Sequence, residues 1–140
     1  MENRKGDQMA KMNAQLPYNR LRKMVKQLVE EHKNLGYEKL KLAVWFGEKD
    51  QVSDVHLLEI VENHPESLSG YLETYEFAPS KDFPVRLHLA IAAPGDLETV
   101  LQNQDRTLQK ARALAPEVIF ADNEEGEELW NRIKDDVEQE

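Results

Sequence analysis

Two dense apolar runs most constrain what this chain can fold into. In KLKLAVWF (39–46), Leu40, Leu42, Val44 and Phe46 alternate with Ala43 and Trp45, so neither face is polar. Successive side chains of a strand point to opposite faces, so the run predicts a strand covered on both sides. VSDVHLLEIV (52–61) is as dense and predicts a second strand in a central position. Between them lies GEKDQVSDVH (47–56), where a glycine ends one strand and Asp54 and His56 alternate into the next.

Helical stripes flank this pair. Leu16, Leu21, Met24, Val25, Leu28, Val29, His32 and Leu35 recur at three- and four-residue spacing, with Pro17 suited to a first turn and Gly36 to a stop. YLETYEF (71–77) and PVRLHLAIA (84–92) read as a strand pair, with Val85, Leu87, Leu89 and Ile91 inward, and ENHPESLSG (62–70) as a turn. A helix opens at Pro94 and carries Leu97, Val100, Leu101, Leu108, Ala111 and Leu114, as one helix or as two with a bend near 102–105. EVIFA (117–121) is a short strand. Asn123, followed by four glutamates, caps a last helix buried through Leu129, Trp130, Ile133 and Val137. The expected class is α+β, with helices packed on one mixed sheet. Residues 1–15 are expected to form a polar tail and 16–140 a single domain.

Composition narrows the function. There are no cysteines, which removes disulfides, thiolate catalysis and cysteine-held metals. No apolar run is long enough to cross a bilayer, and the N-terminus lacks the apolar core of a secretory signal, so a cytosolic chain without a membrane partner is expected. The net charge of −9 is uneven: residues 1–41 carry +5 and residues 122–140 carry −7. Such an acidic chain disfavours nucleic acid. The stripe Arg20, Arg22, Lys23, Lys26 and Lys33 reads first as a solvated helix face offsetting acidic neighbours. Trp45, Tyr71, Tyr75 and Phe77 read as core or cross-strand residues, and the run 124–128 as a helix start rather than a calcium loop.

The element order and its local wording resemble the nucleotidyltransferase fold of the polymerase-beta superfamily, especially its minimal members. AVWFGE (43–48) stands where those proteins place a strand ending in Gly-Ser, and SDVHLLEI (53–60) where they place an Asp-x-Asp strand. LHLAIAAPGDL (87–97) looks like the strand with the third carboxylate and its helix opening, and EVIFADNEEGEELW (117–130) like the late strand and acidic helix start. The resemblance implies nucleotide transfer with magnesium on three carboxylates, and a partner protein or self-association. It makes Gly47, Glu48 and Ser53 the nucleotide-binding candidates.

The departures oppose that chemistry. Glu48 replaces the serine, the loop to Asp54 is short, His56 takes the second carboxylate position and His88 aligns with the third. Magnesium is a hard cation that binds oxygen, not imidazole. The expected role is therefore non-catalytic, in protein interaction or regulation, with no resident cofactor. The alternative is a metal-dependent or nucleotide-binding enzyme using Asp54, His56 and His88. Two histidines and a carboxylate can hold a divalent transition metal or form an acid–base cluster, and the same three residues can equally be the remnant of a decayed site.

Overall fold

The computed structural model describes residues 15–35, 39–62, 73–77, 83–102 and 106–138. Residues 1–14 of the expected 1–15 tail and most of the 62–70 turn lie outside them, as do His64 and Tyr71. In chain order the elements are α1 (Tyr18–Leu35), β1 (Leu40–Phe46), β2 (Asp54–Val61), β3 (Glu73–Phe77) and β4 (Arg86–Ala92). A 3-10 turn (Pro94–Asp96) leads into α2 (Leu97–Gln102), followed by α3 (Arg106–Ala113), β5 (Glu117–Ala121) and α4 (Asn123–Glu138). This is an α+β chain, and the long stripe after Pro94 is two helices rather than one.

The five strands form one mixed sheet in the order β3-β4-β2-β1-β5. β2 is the middle strand, as its apolar density predicts. It pairs antiparallel with β1 and parallel with β4, while β3 and β5 are antiparallel edge strands. All seven residues of β1 are buried, which fits a strand covered on both faces. One core packs Leu21, Val25 and Leu28 of α1 on Trp45, Leu57 and Leu87. The opposite core packs Leu97, Val100, Leu108, Leu129 and Ile133 of α2, α3 and α4 on the other sheet face. A fully buried side chain of this kind contributes about 1.5–3 kcal/mol.

One residue departs from strict alternation. Leu40 joins the α1 core whereas Leu42, Val44 and Phe46 face the other helices. A shift in register between Leu40 and Leu42 inserts an irregularity there, which turns the end of the strand over. Beside it the buried Lys41 reaches Glu125 at 2.6 Å and Asp122 at 3.3 Å. These carboxylates, Glu125 foremost, hold its pKa above the usual lysine range. The ion pairs tie β1 to the start of α4, where Asn123 takes a positive φ of 50°, a conformation asparagine tolerates.

Candidate functional site

The sheet brings the candidate residues together through its register. Phe46 of β1 lies opposite His56 of β2, His56 opposite His88 of β4, and His88 opposite Glu76 of β3. The result is a single row, Phe46–His56–His88–Glu76, across four strands. It lies on the face that carries α2, α3 and α4, where β1 ends and β2 and β4 begin. Asp54 sits one pleat below His56 on the same face, because residues two apart on a strand share a face.

Asp54 anchors the row from below. His88 Nε2 donates to Asp54 Oδ1 at 2.8 Å, and Ser53 Oγ donates to Asp54 Oδ2 at 3.1 Å. The other nitrogen of His88, Nδ1, is 3.7 Å from Glu76 Oε2. Glu76 in turn pairs with Arg86 at 2.8 Å. The bond from His88 is the main reason the Asp54 carboxyl lies below the usual carboxylate range; burial opposes it as the next largest effect, and the Ser53 bond and the charges of His88 and Arg86 tip the balance downward. His56 is half-buried and its ring stacks on that of His88, with centroids 4.5 Å apart and planes within 16°. Burial, then the charge of His88, lower the His56 pKa; Asp54 acts the other way, and Lys110 lowers it further.

Two open cavities meet at this row. One, of about 430 Å³, lies over His56, His88 and Glu76 beneath Thr107 and Lys110 of α3. The other, of about 440 Å³, is lined by Gly47, Glu48, Ser53 and Asp54, and it shares Phe46, His56 and Lys110 with the first. Gly47 has φ +89°, a left-handed conformation that favours glycine. Its N–H bonds the carbonyl of Leu114 at 2.6 Å, which holds the end of α3 over the site. Glu48 is exposed at the rim.

The magnesium that the resemblance implies does not fit this donor set. The only carboxylate at the three motif positions is Asp54, and each of its oxygens already accepts a hydrogen bond. A transition metal fits no better in this arrangement. Imidazole lone pairs lie in the ring plane, so two rings stacked 4.5 Å apart direct theirs within separate, nearly parallel planes instead of toward one point. His88 also has both ring nitrogens facing carboxylates. Among the described residues, no three His, Cys, Asp or Glu side chains are arranged to hold a metal ion.

Asp54, His56, His88, Gly47, Glu48 and Ser53 thus share one cleft. Sequence reasoning missed Glu76, Arg86 and Lys110. Glu76 was open to discovery, as an acidic residue in the alternating strand 71–77, but its partner depends on a strand register that spacing does not encode. His32 bonds the buried Glu59 at 2.6 Å on the other sheet face and lines neither of these cavities. No family model matches the chain, and no curated protein matches it.

Proposed function

We propose that this is a nucleotidyltransferase-like domain that has lost phosphoryl transfer and acts non-catalytically, in protein interaction or regulation. The observation that carries the reading is the closed Asp54–His88 pair. The one carboxylate left at the motif positions is bonded to the imidazole that stands where the third carboxylate is expected. A metal-bridged triphosphate needs free anionic oxygen at that point, and Glu48 adds a negative charge where the phosphates would sit. The test is incorporation of labelled nucleotide from each NTP, with magnesium or manganese, into protein or RNA acceptors. The expected result is none. Incorporation that disappears in Asp54→Ala would overturn the proposal.

The cleft supports a second reading, nucleotide binding without turnover. Lys110 lines both cavities, and it forms no ion pair among the described residues. An NMR titration with ATP, with and without magnesium, tests it. Shifts clustered on residues 47–56 and on Lys110 are expected for binding, and their absence at millimolar ATP would discard it. A metal-dependent enzyme remains the third reading of Asp54, His56 and His88. It requires the two rings to unstack, and stoichiometric metal lost in both His56→Ala and His88→Ala would support it.

A further inference from the structure

The five cations singled out on the first helix divide in two. Arg22 bonds Glu117 of β5 at 2.8 Å, and Lys33 lies 5.1 Å from the centre of the Phe120 ring and 3.9 Å from Glu30. Both serve the molecule's own packing. Arg20, Lys23 and Lys26 do not: all three are exposed, and none forms an ion pair among the described residues. They follow one another at three-residue steps and so are neighbours on the helix surface. Arg20 lies in the first turn, which contains no acidic residue, and the helix dipole disfavours a cation there.

A matching set lies on α4. Glu124, Glu127 and Glu128 are exposed on its first two turns and pair with no cation among the described residues. Their neighbour Glu125, also exposed, is the one that pairs with Lys41. The two sets cannot meet within one molecule. α1 covers one face of the sheet and α4 the other, with the sheet between them. Resting on the interaction reading above, we infer that the basic row Arg20–Lys23–Lys26 docks on the acidic row Glu124–Glu127–Glu128 of a second copy of this chain.

The contact is head to tail. Each molecule that docks through its α1 leaves its own α4 free, so the association extends or closes into a ring rather than stopping at a two-fold dimer. Each copy is also strongly negative overall. That long-range repulsion is screened within about 10 Å at 0.1 M salt, whereas ion pairs in contact are screened less. Association is therefore weak, best near 0.1 M salt, and lost in high salt.

Sedimentation velocity of the full chain from about 10 to 500 µM, at 0.1 and 0.6 M salt, reads the self-association. One variant carries R20E, K23E and K26E; a second carries E124K, E127K and E128K. All six positions are on the surface, and circular dichroism checks that both variants fold. Each variant alone should associate at least about tenfold more weakly than the wild type at 0.1 M salt, the combined effect of three lost surface pairs. An equimolar mixture of the two should recover association, since each then supplies the row the other needs. Both variants remain net negative, so bulk attraction cannot produce that recovery. A wild type that stays monomeric at 500 µM, or a mixture that stays monomeric, overturns the inference. So does a monomeric wild type whose basic row instead binds a single-stranded oligonucleotide. None of these outcomes bears on nucleotide incorporation, so the non-catalytic reading stands or falls separately.

Discussion

Replacing Gly126 with alanine sets two physical effects against each other. Gly126 lies inside α4, where glycine is less favourable than alanine by up to about 1 kcal/mol. On propensity alone the substitution stabilises. Packing opposes it. A Cβ at this position would lie 2.3 Å from the carbonyl oxygen of Lys41 and 2.9 Å from the backbone of Ala121. Both neighbours are main chain in paired strands: Leu42 faces Ala121 across β1 and β5, and the Lys41 carbonyl accepts the Asp122 N–H at 2.8 Å. They cannot swing aside as a side chain would. The helix must withdraw by roughly 1 Å to restore an ordinary contact. That movement stretches the Lys41 ion pairs and loosens Leu129 and Ile133 in the core. Overpacking costs about 1–3 kcal/mol, and against main chain that cannot rotate away the upper part of that range, about 2–3 kcal/mol, applies, so a net loss of roughly 1–2 kcal/mol remains after a propensity gain of about 1 kcal/mol. At about 4 °C per kcal/mol for a domain this size, Tm should fall by roughly 4–8 °C. Thermal and urea unfolding measure it. Asn131→Ala, exposed in the same helix, is the control and should raise Tm slightly. A Gly126→Ala protein at least as stable as the wild type would show that α4 does not approach β1 as closely as described.

Two other perturbations probe the polar groups. His56 has a folded pKa below its ordinary 6.5 because its ring is buried and lies against His88, so the unfolded chain takes up the proton first. Its contribution is therefore full above pH 6.5 and declines as the pH falls from there toward the folded value; Tm between pH 7.5 and 5 should drop, and His56→Gln should flatten that part of the profile, an unchanged slope counting against the assignment. On the other sheet face, His32→Ala leaves the buried Glu59 side chain without the imidazole 2.6 Å away and should cost about 1–3 kcal/mol in urea unfolding. The paired change His32→Leu with Glu59→Leu should recover most of that loss, and a double variant no more stable than His32→Ala would mean the pair is held for packing rather than for its hydrogen bond.

The fold was legible where burial imposes a period. Trp45 beside Val44, both fully buried, marks β1 as two-sided from composition alone. The stripe Leu21–Val25–Leu28 places α1 on the sheet with little ambiguity, because few other arrangements hide those side chains. The turnover at Leu40 was not legible. It comes from a change of register between paired strands, and nothing in KLKLAVWF marks which leucine crosses over. Nor does the pattern NEEGEELW reveal that its glycine is needed for contact with a carbonyl some 80 residues earlier in the chain.

The same division explains the cleft. Asp54 and His56 were readable as neighbours because pleat geometry fixes their spacing on one strand. His88 came from aligning a motif, and the parallel register of β2 with β4 is what sets it directly opposite His56. Glu76 needed one pairing more, and Lys110 a helix packed above the sheet. Each added strand or layer moves a residue further from what local spacing can reveal. The residues found last are also those that decide the chemistry. Asp54 bonds one nitrogen of the His88 ring at 2.8 Å, and Glu76 places a second carboxylate 3.7 Å from the other, so the ring faces an anion on each side. A motif with the histidines alone suggests a metal, whereas the same histidines with their cross-strand partners describe a sheet end in which His88 is bonded to Asp54 and stacked on His56.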